Sequence, residues 1–116
     1  MPPNVRRVPR PDWEPLPYEG CLGVEGRVLV REPDLFVAVL RFAEDATIHE
    51  HPGPNDTIVV CLEGTGSTSV AGEIARLTAG DRVDWPRGVP HRLWTEGSTM
   101  TTLMVERMAQ SAEGDA

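Results

Sequence analysis

Cysteine is scarce in this chain, and the two that occur, Cys21 and Cys61, stand forty residues apart. No CxxC pair is present, so the sequence excludes a zinc ribbon and a thioredoxin-type redox motif. Two scattered thiols are typical of a reducing compartment, and we expect no disulfide between them. A Ser-His-Asp arrangement, a nucleophile elbow and a phosphate-binding loop are also missing, which argues against several common enzyme classes.

Long apolar runs are absent as well, and none approaches the roughly 18 residues that a membrane span requires. Residues 1–17 carry basic side chains with no apolar stretch after them, which does not fit a secretory signal. The predicted location is therefore the cytoplasm. A net charge of −7 argues against nucleic acids and anionic membranes as partners, because both need a basic surface. A small organic molecule, acidic or neutral, stays open as a ligand.

Helical periodicity over eleven or more residues is missing too, apart from a short candidate helix over 105–112. Short runs of β-branched and apolar residues instead alternate with Gly, Pro, Asn and Asp, which predicts strands separated by turns. The predicted strands cover residues 26–31, 35–42, 47–51, 57–62, 66–71, 73–77, 82–85, 91–94 and 99–107. Turns are expected within 44–45 and 63–64, among others. Nine short strands predict a single-domain all-β sandwich or barrel.

Proline is concentrated at one end, with six of the eleven prolines in the first seventeen residues. Proline lacks an N–H donor and restricts φ, so residues 1–19 are predicted to form an extended arm rather than a helix or a central strand. Trp13, Leu16 and Tyr18 would anchor this arm on the body of the domain or on a partner chain. Residues 20–107 would form the barrel, and 108–116 a short flexible tail.

The three histidines fall in two short segments, IHEHPGPND and PRGVPHRLW. On a strand, residues two apart point to the same face, so His49 and His51 are able to converge on one metal ion. Imidazole is a common metal ligand that is largely neutral at pH 7. An isolated His-x-His pair is a weak signal, and the second segment, which contains His91, is what strengthens it.

The second segment resembles the second conserved motif of the cupin superfamily: Gly, five residues, Pro, one residue, Gly, two residues, His. The fixed positions are Gly80, Pro86, Gly88 and His91, and the final position, usually Asn, is Thr95. The first cupin motif is matched by His49, His51 and Gly64, with Ala43 in place of its first Gly. The resemblance covers roughly residues 35–105 and implies a small single-domain RmlC-like cupin of the cupin 2 type. The implied fold is a double-stranded β-helix, or jelly-roll barrel.

The resemblance also implies one divalent transition metal ion held by His49, His51 and His91. Imidazole ligands do not choose among Fe, Mn, Ni, Co and Zn. The family usually adds a Glu, for which two positions compete here. Counting forward from His51 reaches Asp56, whereas counting back from Gly64 reaches Thr57. Asp56 is a candidate fourth ligand, although Asn-Asp is also ordinary turn chemistry; Thr57 is a poor ligand while its hydroxyl is protonated.

Two functional hypotheses follow. The first is a metal-dependent enzyme, dioxygenase-like or an isomerase, cyclase or lyase, acting on a small organic molecule inside the barrel. The second is a non-catalytic module that binds or senses such a molecule. Arg41 is a weak candidate for an anionic substrate, its alternative being a solvated arginine on the outer face. Trp85 is expected to be a packing residue. The resemblance further implies a homodimer, in which the arm could cross to the partner.

Overall fold

The computed structural model describes residues 1–108, which form eight strands and no helix. The strands are β1 Arg10–Pro15, β2 Cys21–Glu32, β3 Leu35–His51, β4 Asp56–Val70, β5 Glu73–Thr78, β6 Arg82–Trp85, β7 His91–Trp94 and β8 Met100–Arg107. The helix predicted over 105–112 is wrong for its described part, since β8 continues to Arg107 and pairs with two strands; residues 109–112 lie outside the described residues. No segment of 1–108 is a helix that could cross a membrane.

The two longest strands, β3 and β4, each belong to two sheets. In the first sheet, residues 35–42 of β3 and 56–64 of β4 flank β8, with β2 and β6 outside them. In the second sheet, β7 lies between residues 47–51 of β3 and 67–70 of β4, with β5 at the edge. The two sheets close into one barrel, so the predicted all-β jelly-roll fold is confirmed.

Both long strands bend where the sequence predicts turns. The predicted turns at 44–45 and 63–64 do not end a strand, because only Asp45 and Gly64 adopt a positive φ there (58° and 76°), which redirects the chain without reversing it. The pairing of β4 with β8 shifts register beside Gly64, between Cys61 and Glu63. Four of the nine predicted strands therefore merge into two long ones.

One end of the barrel is closed and the other is open. Phe42, Met100 and Gly64 pair side by side at the closed end, where Phe42 and Met100 are buried. The apolar core fills this end and the middle of the barrel. Its buried members are Val24, Ala38, Leu40, Phe42, Ala46, Ile48, Val59, Cys61, Leu77, Trp85, Leu93 and Met100. Cys61 and Cys21 are both free cysteines.

Part of the N-terminal arm joins the barrel. β1 pairs with β2 at the edge of the first sheet, a position that tolerates proline because one side of an edge strand needs no partner. Trp13 is half-buried and Leu16 packs against the core, as expected for anchors. Tyr18 does not anchor the arm on the described part of the barrel, since it is 66% exposed.

Two fully buried threonines give a matched test of polar burial. The Thr102 hydroxyl has no hydrogen-bond partner among the described residues, whereas the Thr68 hydroxyl donates to the Arg92 carbonyl and accepts from the Trp85 indole N–H. An unpaired buried hydroxyl opposes folding, because it loses its hydrogen bonds to water. We expect Thr102→Val to raise the free energy of unfolding by about 1 kcal/mol and Thr68→Val to lower it by roughly 1–3 kcal/mol.

Urea unfolding followed by circular dichroism measures both changes, with the m-value as a check that the unfolded state is unaltered. Equal losses in the two variants would mean that the Thr102 hydroxyl is hydrogen-bonded in solution.

Candidate functional site

The structure brings the three histidines together at the open end of the barrel. His49 and His51 lie at the end of β3, and His91 begins β7 directly opposite His51. The ring centroids of His49 and His51 are 4.8 Å apart, and those of His51 and His91 are 4.7 Å apart. The β3–β7 pairing sets His51 beside His91, and a register shift of this pairing between Ile48 and His51 brings His49 to the same side.

Backbone carbonyls orient two of these rings. His51 Nδ1 lies 2.8 Å from the His49 carbonyl oxygen, and His91 Nδ1 lies 3.2 Å from the Val89 carbonyl oxygen. A neutral imidazole that donates from Nδ1 leaves the Nε2 lone pair free to bind a metal or a substrate. His49 has a weaker partner, since its Nδ1 lies 4.0 Å from the Cys21 thiol.

His91 is the most constrained of the three histidines. Its side chain is buried, and the Trp85 ring stacks on it with a centroid distance of 4.0 Å and an interplanar angle of 9°. Burial, together with the nearby His51, lowers the pKa of His91 to about 4, so its imidazole is neutral near pH 7. The Trp85 indole is held in turn by its hydrogen bond to Thr68. Trp85 is therefore the packing residue that the sequence predicts, and it also forms part of the site.

A cavity of about 500 Å³ opens beside the histidines, within the size range of small-molecule sites. Its walls are mainly apolar. The apolar lining residues are Leu16, Val28, Phe36, Ala38, Leu40, Ile48, Trp85 and Met104. Thr57 and Glu106 add polar groups, and Arg10, Arg27 and Arg31 line the cavity as well. Such a cavity suits an organic molecule with a large apolar part.

The two positions that compete for the family's Glu lie in different surroundings. Thr57 is buried and lines the cavity, opposite Trp85 on β6. Asp56 is exposed, and its carboxylate accepts a hydrogen bond of 2.9 Å from the Arg87 backbone N–H. Asp56 thus stabilises the turn before β7, a different turn from the one at Asn55–Asp56 that the sequence predicts. The candidate that faces the cavity therefore carries a hydroxyl, whereas the carboxylate of Asp56 is not among the groups that line it.

Arg41 lies on the outer face of the first sheet. Its guanidinium forms an ion pair of 2.7 Å with Glu25 and stacks on Trp13, 4.3 Å from the ring centroid. It is not among the residues that line the cavity. The charged residues that do line it, including Arg31 and Glu106, were missed from the sequence, because their strands carry no motif.

The donor set of the site fits a divalent transition metal. Two imidazoles that share an ion at 2.0–2.1 Å have ring centroids roughly 5 Å apart, close to the spacing observed here. Across residues 1–108, however, no group of three or more His, Cys, Asp and Glu side chains already stands in a geometry that would hold an ion. The histidines therefore provide the right donors without a finished coordination sphere.

These features define a small jelly-roll barrel with a histidine-lined cavity at one end. A family model for the cupin domain (Cupin_2) matches residues 37–106, more than half of the chain. The chain therefore belongs to the cupin domain family, as the two sequence motifs predict. No curated protein matches it.

Solved structures with the same fold include several cupins. The polyketide cyclase RemF from Streptomyces resistomycificus superposes with a TM-score of 0.79 at 20% identity, over 94% of this chain and 81% of that one. KdgF from Halomonas sp. superposes with a TM-score of 0.73 at 21% identity, over 85% of this chain and 89% of that one. An RmlC-like cupin from Shewanella frigidimarina superposes with a TM-score of 0.77 at 20% identity, over 95% of both chains. At these identities the similarity concerns the fold alone.

Proposed function

We propose that this cupin holds one divalent transition metal ion with His49, His51 and His91 and acts as a metal-dependent enzyme on a small organic molecule in the cavity. The observation that carries this proposal is the convergence of the three histidines of the chain on the wall of one cavity. Three imidazole ligands would leave coordination positions open for substrate or dioxygen. The metal, when bound, supplies Lewis-acid or redox chemistry, and a dioxygenase is the subclass we favour.

Three residues of the chain have distinct roles in this proposal. Trp85 keeps the His91 ring in place by stacking on it. Thr57 presents a hydroxyl, not a carboxylate, to the cavity, which leaves more room for a ligand beside the histidines. Glu106 is the carboxylate that lines the cavity among the described residues, and the Asn55 side-chain amide donates to it over 2.9 Å. We assign Glu106 as the group that accepts a proton from the bound molecule.

The similar structures support an organic substrate in general terms. RemF is a polyketide cyclase, and another similar structure, from Thermotoga maritima, is a predicted oxalate decarboxylase (TM-score 0.70, 19% identity). The mainly apolar cavity here favours a molecule closer in character to a polyketide than to oxalate.

A non-catalytic binding module is the alternative, and two observations favour it. The candidate fourth-ligand position that faces the cavity is Thr57, which has no carboxylate. The described side chains of the site also form no finished coordination sphere in residues 1–108. A barrel of this kind would bind the same class of molecule without turnover. The homodimer implied by the resemblance and the cytoplasmic location also stay predictions.

Metal content tests the proposal. Untagged protein purified without chelator is expected to contain close to one equivalent of iron, manganese, nickel, cobalt or zinc per chain by inductively coupled plasma mass spectrometry. The His51→Ala/His91→Ala double variant is expected to lose at least nine-tenths of it, because two of three ligands are gone. Asp56→Ala is the matched control and should keep the metal, since the Asp56 carboxylate is hydrogen-bonded to the Arg87 backbone N–H.

Circular dichroism establishes that the variants are folded, and an oxygen electrode separates turnover from binding once a substrate is found. A wild-type protein that neither contains nor takes up any of these metals would refute the metal site. Loss of metal from Asp56→Ala would instead identify Asp56 as a ligand.

A further inference from the structure

Five residues stand side by side across the open end of the first sheet. In strand order they are Arg31, Phe36, Glu106, Thr57 and Trp85. Directly paired residues in antiparallel strands direct their side chains to the same face. Arg31 therefore shares the inner face with Phe36, because a register shift between Val28 and Val30 adds one residue to β2.

Three arginines line the β1–β2 side of the cavity. Arg27 is engaged elsewhere, since it donates to the Pro11 carbonyl and stacks on Trp13, which leaves Arg10 and Arg31. Arg31 is exposed, its guanidinium lies 5.8 Å from the centroid of the Phe36 ring, and within residues 1–108 it forms no ion pair. Arg10, opposite Val28 on the edge strand, also lines the cavity and forms a partly exposed ion pair of 3.4 Å with Glu14. Two guanidinium groups at one mouth of an apolar cavity are unexpected in a chain of net charge −7, and they attract an anion there.

The histidines lie at the opposite end of the same row. His91 stacks on Trp85, which is four strand positions away from Arg31. At about 4.8 Å per strand, the two backbones are separated by roughly 19 Å along the curved sheet. A two- or three-carbon acid would reach only one end, whereas a molecule of two or three rings contacts both.

Resting on the proposed function, we propose that the substrate is an elongated, mainly apolar organic acid, with its acidic group held by Arg31 and Arg10 and its body directed towards the histidines. Phe36, Leu40 and Met104 supply the apolar wall between the two ends. Glu106 faces the middle of the cavity and disfavours a second acidic group there. The favoured class is thus a monoacid of aromatic or polycyclic type.

Two fluorescent probes of the same ring system test this proposal. 8-Anilinonaphthalene-1-sulfonate carries an acidic group, which N-phenyl-1-naphthylamine lacks. Titrations are carried out on EDTA-treated wild-type protein, on Arg10→Met/Arg31→Met, and on Arg76→Met as a matched control. Arg76 lies outside the cavity and donates to Thr65. We expect the sulfonate to bind wild type roughly five- to tenfold more tightly than the neutral probe, and this preference to vanish in the double arginine variant alone.

Binding of the neutral probe shows whether each variant keeps an intact cavity, and competition between the probes shows whether they share it. Arg31 also borders a groove beside Arg6 and Arg7, so a sulfonate that does not displace the neutral probe would overturn the inference. The inference would equally fail if wild type shows no preference, or if Arg76→Met loses it too.

The His51→Ala/His91→Ala variant separates this inference from the proposed function. Retention of the sulfonate preference in that variant is expected, because the arginines hold the acidic group without a metal. A preference that disappears with the histidines but survives Arg10→Met/Arg31→Met would overturn the inference while leaving the metal site intact. A metal-free wild type with an intact preference would refute the proposed function alone.

Discussion

Replacing Gly64 by alanine is expected to lower the free energy of unfolding by more than about 4 kcal/mol, or to prevent folding. A Cβ at this position would overlap the Thr99 carbonyl oxygen and lie 2.9 Å from its carbon, and both are backbone atoms that cannot rotate away. Gly64 also has φ of 76°, which an L-residue adopts at an added cost of roughly 1–2 kcal/mol. The close approach occurs where β4 passes from one sheet to the other.

Gly72→Ala is the matched control for this prediction. Gly72 has a similar φ of 82°, but nothing lies within 4 Å of the Cβ that alanine would add. The control should lose only about 1–2 kcal/mol, measured by urea unfolding with circular dichroism. Equal losses in the two variants would show that the β4 corner accommodates a methyl group by moving Thr99, and that the steric argument is wrong.

Replacing Trp85 by alanine is expected to lower the free energy of unfolding by roughly 3–5 kcal/mol. The Trp85 side chain is 3% exposed, belongs to the core and covers the His91 ring, so its removal leaves a large cavity beside the site. Trp85→Phe keeps an aromatic ring and loses the hydrogen bond to Thr68, and should lose about 1–2 kcal/mol. Comparison of the two variants shows whether packing or the indole hydrogen bond contributes more to the free energy of unfolding.

Trp13→Ala is the control, because this tryptophan lies on the outer face of the barrel. Trp13 is half-buried under Arg27 and Arg41 on the outer face, and its loss should cost about 1 kcal/mol. The wild type and the three tryptophan variants are compared by urea unfolding followed by far-ultraviolet circular dichroism, because their tryptophan fluorescence differs. A Trp85→Ala variant as stable as Trp13→Ala would mean that the barrel collapses around the missing ring at no cost.

The sequence was most informative where local chemistry acts at short range. Alternation along a strand is enough to predict that His49 and His51 act as a pair, although the structure brings them together across a register shift between Ile48 and His51. The spacing from Gly80 to His91 identifies the cupin family, which the family match confirms. The sequence located the turn residues correctly, but it wrongly predicted that Asp45 and Gly64 each end a strand. A single positive φ bends a strand or ends it according to what pairs on either side, and those partners are remote in sequence.

Positions at the rim of the cavity could not be derived in this way. Alternation places Arg31 on the same face as Leu29 and Arg27, and the extra residue at the Val28–Val30 bulge reverses that assignment. Counting from the motifs could not choose between Asp56 and Thr57, whereas pairing with β6 and β8 puts Thr57 inside the barrel. Arg41 has the residue type for binding an anion, and strand register places it outside.

The all-β class and the family follow from the order of residues along the chain, as does the grouping of the histidines in two motifs. Each of these depends on spacings of a few positions. The shape of the cavity, the stacking of Trp85 on His91 and the row from Arg31 to Trp85 depend on five strands meeting in one register. Register is set by bulges, corners and packing between distant segments. Those interactions exist only once the barrel has closed.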